Sequence, residues 1–180
     1  MPELALPLIA KEKEARTGRL DLGRCGLTKL PEALFELEWL EELSVCNRYW
    51  DHEQREYVNT KNIGAYNLLR GNLPEQLKKL TQLKTLRLGG SGTISNSINT
   101  IFSDYWELED ISVLQNLQNL QSLDLRYNRQ IKDFSVLQNL QNLQSLDLRY
   151  NGISDISVLQ NLHNLQTLDL RSTDISDISV

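Results

Sequence analysis

Three runs of the sequence read Asp-Leu-Arg, at residues 124–126, 147–149 and 169–171. On an extended strand, residues two apart share a face, so each Asp stands beside its Arg. Asp124, Asp147 and Asp169 form one column across the runs, and Arg126, Arg149 and Arg171 form the next. Such columns suit binding better than catalysis. A neighbouring guanidinium holds a carboxylate ionised, whereas acid catalysis needs a raised pKa. Tyr127 and Tyr150 flank the columns, and Tyr and Arg are the residue types that anchor protein contacts. Trp50 and Tyr57, then Tyr105 and Trp106, add aromatic groups in two less regular stretches. These residues are the candidate partner-binding set. The rival reading is duplication of one soluble unit, with Trp50 or Trp106 packed under its own loop.

Other reactive residue types are sparse. His52 lies beside Asp51 and Glu53, too few ligands at that spacing for a metal. His163 replaces Gln118 and Gln141 of the neighbouring units and is expected in solvent. Gly89-Gly90-Ser91-Gly92-Thr93 follows a strand, but no Lys-Ser/Thr completes a phosphate loop. No catalytic residue, metal or cofactor is expected.

The columns need a scaffold, and the scaffold is a repeat. Leu120 to Leu143 is 23 residues and Leu143 to Leu165 is 22. A fixed period of this size signals a solenoid. Leu146 and Leu148 alternate with Ser145, Asp147 and Arg149, the pattern of a strand with one apolar face. Successive strands then stack in parallel about 4.8 Å apart. Asp110, Asp133, Asp155 and Asp177 each precede a short return leg, where Asp is a good helical cap. No single unit could fold alone, so stability belongs to the stack.

The chain reads as one domain over 1–180. Pro7 opens a short helix to about Arg16, with Gly18 as its stop. Leu8, Ile9 and Ala15 are expected to cover the first unit. Residues 19–47 hold two strands joined by Leu30-Pro31-Glu32-Ala33-Leu34-Phe35-Glu36-Leu37, and residues 73–88 write this Leu-Pro unit again. Leu40 to Leu83 spans 43 residues and Leu83 to Leu120 spans 37, so extra chain lies in 48–72 and 89–109. Both inserts follow strand ends and should emerge on one rim. Regular units fill 110–180. Beyond Val180 no covering segment is written, so the expectation is a truncated array whose end face could self-associate.

The pattern Leu143-x-x-Leu146-x-Leu148-x-x-Asn151 resembles the leucine-rich repeat superfamily. Residues 111–180 resemble the 22-residue subclass of internalins and a phosphatase regulatory subunit. The opening from Ile9-Ala10-Lys11 to Leu27-Thr28-Lys29-Leu30-Pro31 resembles the Leu-Pro repeats of bacterial Roco-type signalling proteins. The resemblance implies an α/β repeat fold: a curved solenoid with a parallel β-sheet on its concave face, short helical or 3-10 returns and an N-terminal capping helix. It implies protein recognition as the role, and side-chain amides of Asn128 and Asn151 satisfying loop backbone. Cys25, Arg48, Ser91 and Thr173 depart from that Asn.

Composition narrows the classes. Lys plus Arg is 19 against 24 for Asp plus Glu, a net charge of -5. That disfavours nucleic acid. No apolar run reaches a membrane span. Ala5 to Ala10 is framed by charge, unlike a secretory leader. Cys25 and Cys46 should point apart, which suggests free thiols, a reducing compartment and a cytoplasmic protein. The expected function is a protein- or peptide-binding sensor or scaffold arm of a larger bacterial signalling protein. The alternatives are an exported internalin-like adhesin and, further off, an enzyme sited in the inserts.

Overall fold

The computed structural model describes residues 4–51, 54, 56–90 and 107–176. Helix α1 (Ala5–Ala15) leads into strands β1 (Arg19–Asp21), β2 (Glu42–Ser44), β3 (Arg48–Asp51), β4 (Glu56–Asn59), β5 (Arg70–Gly71), β6 (Thr85–Arg87), β7 (Glu107–Leu108), β8 (Ser122–Asp124), β9 (Ser145–Asp147) and β10 (Thr167–Asp169). Six of them form one parallel sheet in the order β1-β2-β6-β8-β9-β10. Its register sets Leu20, Leu43, Leu86, Leu123, Leu146 and Leu168 side by side. All but Leu168 are buried. The α/β solenoid expected from the period is present.

The return legs are 3-10 turns: Glu32–Glu36, Glu75–Lys79, Ser112–Asn116, Ser135–Asn139 and Ser157–Leu159. Pro31 and Pro74 stand just before the first two in extended backbone, which the fixed proline φ favours. The first four turns each drive one leucine fully inward, Leu34, Leu77, Leu114 and Leu137, while Leu159 of the fifth is half-buried. Asp110, Asp133 and Asp155 accept bonds at 2.7–2.8 Å from the backbone N–H of Ser112, Ser135 and Ser157. Each Asp stands one residue before the N-cap, which is Ile111, Phe134 or Ile156, and binds the first amide of the turn two residues on. Asp177 lies outside the described residues.

Helix α1 begins two residues before Pro7. Ala5, Ile9 and Glu12 are its buried positions, while Ala15 is exposed and Leu8 is half-buried. The cover therefore includes a carboxylate, not Ala15. Glu12 is tolerated there because Gly18 N–H donates at 2.8 Å, Trp39 Nε1 at 3.2 Å and Thr17 Oγ1 at 2.5 Å. Burial pushes its pKa up, but these donors outweigh burial and the net direction is down.

The first insert has structure of its own. Strands β3 and β4 pair antiparallel as a hairpin, Arg48 opposite Asn59 and Asp51 opposite Glu56. The detour starts at Cys46 and ends at Tyr66. Asn67 then takes the turn position of the second unit, where the linear spacing had placed Arg48. Asn67 is fully buried. Its Oδ1 accepts from Cys25 and Leu27 N–H at 3.0 and 2.8 Å, and its Nδ2 donates to Leu22 and Val45 carbonyls at 2.7 and 2.8 Å. Asn151 donates likewise to Leu125 and Leu148, both at 3.0 Å. Asn47 locks the return, accepting from Arg24 and Asn67 N–H at 3.1 and 3.0 Å. Chain regained in this way continues into β5, which pairs parallel with β7 after the second insert.

At the far end Leu168 is 42% exposed, and Leu170 and Ile175 are half-buried. Ile178 lies outside the described residues.

Replacing Asn67 by Ala would strand up to four buried backbone groups, each costing about 1–3 kcal/mol. Urea denaturation should show a loss of about 3 kcal/mol or more; a loss below about 1 kcal/mol would show that Asn67 does not close the ladder.

Candidate interaction groove

On the concave side each strand offers its first and third residues. The first form a row of Arg19, Glu42, Thr85, Ser122, Ser145 and Thr167; the third form Asp21, Ser44, Arg87, Asp124, Asp147 and Asp169. Backbone bonds carry the sheet on to a further row: Gly23, Cys46, Gly89, Arg126, Arg149 and Arg171. Gly90, Tyr127 and Tyr150 N–H donate to Arg126, Arg149 and Arg171 carbonyls. Tyr127 and Tyr150 follow at φ 59° and 57°, a left-handed bend that Arg24 and Ser172 share at the same position. The two rings stack, centroids 4.3 Å apart.

The hairpin β3–β4 lies against this surface. Two glycines permit close packing here, Gly23 against Thr60 and Gly89 against Asp124. A Cβ on Gly23 would sit 2.2 Å from the Cys46 carbonyl and 2.7 Å from Thr60 Cβ, and a Cβ on Gly89 would sit 2.3 Å from Asp124 Oδ1. Thr60 Oγ1 donates to Asp21 at 2.7 Å, and Asn62 Nδ2 to the Asp21 and Gly23 carbonyls at 3.0 and 2.9 Å. Farther along, the arginines meet the hairpin. Arg126 Nη2 donates to the Arg48 carbonyl, and Arg149 Nη1 to Tyr57 Oη at 2.9 Å. The Tyr57 ring has the guanidinium carbons of Arg48, Arg126 and Arg149 at 4.3, 5.6 and 5.7 Å from its centroid. Arg87 stacks on Tyr49 at 4.4 Å.

This corrects the expectation of an open Asp and Arg platform. Asp124, Arg126, Asp147 and Arg149 are all buried, at 8%, 1%, 6% and 4% exposure. The insert that was expected to project from the rim folds back over them. Of the two columns only Arg171 stays open, 72% exposed at its side chain, and Asp169 is half-buried. Tyr57 and Tyr150 are exposed at 40% and 38%. Trp50 pairs with Tyr57 through the backbone, while its side chain, Tyr105 and Trp106 lie outside the described part. Sequence reasoning missed the hairpin. Its signal was present in Arg48-Tyr49-Trp50-Asp51 and Glu56-Tyr57-Val58-Asn59, two β-prone runs split by a polar turn.

Charge compensation is uneven. Arg149 grips Asp147 through Nε at 2.9 Å and Nη2 at 2.6 Å, and its Nε lies 3.2 Å from Asp169. Burial pulls Arg149 down, but these bonds and charges outweigh it and hold it up. Arg126 Nε stands 3.4 Å from Asp124 Oδ2 without hydrogen-bond alignment, and its Nη1 has no partner among the described residues. Burial accordingly raises Asp124 against the pull of Arg126. Cys46 sits beside this pair, 3.9 Å from Asp124 Oδ2, with Gly89 N–H donating to its sulfur at 3.1 Å. Both cysteines are free and buried. Burial, with Asp21 nearby, pushes the Cys25 thiol up to about 11, and burial with Asp124 pushes Cys46 up further.

What remains open is a groove of about 670 Å³ between the sheet and the hairpin. Its floor includes Thr85, Ser122, Ser145 and Thr167, with Gln144 and Gln166 alongside and Tyr49 and Asp51 on the hairpin side. None of these was among the candidates, although the hydroxyl row recurs at the repeat spacing. Among the described residues no group of three or more His, Cys, Asp or Glu is placed to hold a metal. No described helix is long and apolar enough to cross a membrane. His163 is exposed, as expected.

Comparison with known proteins agrees with this geometry. Residues 141–180 match a model of two leucine-rich repeats, and residues 116–133 match a model of one. The chain folds as a leucine-rich repeat solenoid. An internalin from Listeria monocytogenes (inlF) is similar at 25% identity and a TM-score of 0.58, over 83% of this chain and 33% of that one. A leucine-rich repeat protein of Leptospira interrogans is similar at 27% identity and a TM-score of 0.58, over 94% and 41%. The chain thus spans a third to two-fifths of those proteins. The ectodomain of the Arabidopsis receptor kinase HAESA, solved with a peptide hormone ligand, shares the fold at 23% identity and a TM-score of 0.51, over 81% and 20%. No curated protein matches. The finer resemblance to Roco-type repeats finds no counterpart in these matches.

Two outcomes follow from the burial. Neither thiol should react with Ellman's reagent at about pH 8 in the folded protein, and both should react in concentrated guanidinium. Reaction of either at a free-thiol rate would contradict its burial. Tyr57→Ala should speed amide exchange of 48–51 and 56–59 by about tenfold or more, while 145–147 stays protected. Unchanged hairpin exchange would mean that Tyr57 does not hold it down.

Proposed function

We propose that this chain is a protein-interaction module that takes an extended polypeptide segment across its concave groove. Solenoids of this kind are commonly interaction domains and not enzymes. The supporting observation is the groove: a half-open channel, floored by one hydroxyl from each of β6, β8, β9 and β10 and sided by a hairpin of the same chain. Hydroxyls and amides both donate and accept, so they can follow a peptide backbone at the strand spacing. The insertion leaves the Asp and Arg columns as the hairpin's support. Of the original candidate set Arg171, Tyr57 and Tyr150 are exposed, and Asp124 and Asp147 border the groove.

The wider setting is a cytoplasmic sensor or scaffold arm in a larger bacterial signalling protein. Similarity to bacterial repeat proteins of greater length supports it. The similarity to an internalin also supports an exported adhesin. Cell fractionation separates the two: recovery in the cytosolic fraction favours the signalling arm, and recovery outside the cell favours the adhesin.

Random-peptide display on the folded chain tests groove binding. Selected peptides should lose about tenfold or more in affinity against Ser145→Trp, which fills the floor. Failure to select any peptide, or equal binding to a folded Ser145→Trp variant, would sink the reading.

A further inference from the structure

The groove has a sign. Its wall carries four carboxylates, Glu42, Asp51, Asp124 and Asp147, against two guanidiniums, Arg19 and Arg87. Both guanidiniums are engaged: Arg19 stands 3.3 Å from Glu42, and Arg87 stacks on Tyr49. Asp147 is held by Arg149. Asp124 is different. Among the described residues its hydrogen bonds come from the Arg126 backbone N–H at 3.1 Å and the weak Cys46 thiol at 3.9 Å, and Arg126 Nε reaches it only as a misaligned ion pair. Asp124 and Asp147 are register neighbours on β8 and β9, about 4.8 Å apart along the sheet.

We propose that the groove selects a basic segment, with a Lys or Arg side chain of the bound polypeptide seated at Asp124, beside the Ser122 and Ser145 hydroxyls. This rests on the groove-binding reading above and names its partner's chemistry. An ammonium carries three donors, enough for Asp124 and the Ser122 and Ser145 hydroxyls beside it. The half-enclosed setting strengthens such a pair relative to open water, and a like-charged segment would meet repulsion there. The raised Asp124 carboxyl is consistent with a charge left short of donors.

The peptides selected on the folded chain decide this. Lys or Arg should dominate one central position. Replacing that residue by Gln in a fluorescein-labelled peptide should cost about tenfold or more in anisotropy titrations, the scale of a charge-assisted bond. Binding should weaken as salt rises. Asp124→Asn should weaken the basic peptide and leave its Gln counterpart unchanged. Should Asp124→Asn fail to fold, Asp51→Asn on the hairpin side serves, with a smaller loss expected. A neutral or acidic consensus, or affinity untouched by the folded carboxamide variants, would overturn the proposal while groove binding stands. An empty selection would instead overturn groove binding itself.

Discussion

Every coil of this chain must hide the polar backbone at the point where it leaves the sheet. The sheet cannot do this, because the chain turns there and its amides lose their neighbours. In three of the coils a buried asparagine side chain does it, donating to carbonyls with its amide nitrogen and, at Asn67 and Asn151, accepting backbone N–H with its oxygen. Asn67, Asn128 and Asn151 are each fully buried in this role. The stack of leucines depends on it, since aliphatic burial cannot offset stranded backbone groups.

The same requirement explains how the second coil accepts a detour of some twenty residues. The chain leaves after Val45, makes its hairpin, and resumes only where another asparagine is available. Loop closure of this length costs little more than a shorter loop would. The ladder sees Val45 followed by Asn67 and is satisfied. What it does not constrain is where the detour goes, and the hairpin settles on the concave face.

That choice sets the chemistry. Gly23 leaves room for Thr60 and Gly89 for the Asp124 carboxylate, while Arg126 and Arg149 bond to the hairpin. Tyr57 offers its ring to three guanidiniums and its hydroxyl to one. The polar columns thus become an internal prop. The surface left for another molecule shifts toward the hydroxyl row, and its electrostatics are set by which acids the arginines reach. Arg149 bonds both oxygens of Asp147; Arg126, which donates to the Arg48 carbonyl, stands misaligned beside Asp124.

Local order in the sequence was enough for the architecture. The spacing of Leu120, Leu143 and Leu165, the alternation around Leu146, the capping aspartates and the asparagines at 128 and 151 all act between near neighbours or one period away. Leucines at a fixed period have one way to share a core, so the solenoid and its parallel sheet follow from the pattern. Contacts across irregular distance were not legible. Asn67 could stand in for the turn position only because the fold brings residues 45 and 67 together. Asp147 and Arg149 read as surface because their alternation with leucines is genuine, yet a hairpin nearly a hundred residues earlier covers them. Periodicity tells which face a side chain takes; only tertiary structure tells whether that face meets water, since burial depends on what else the chain lays upon it.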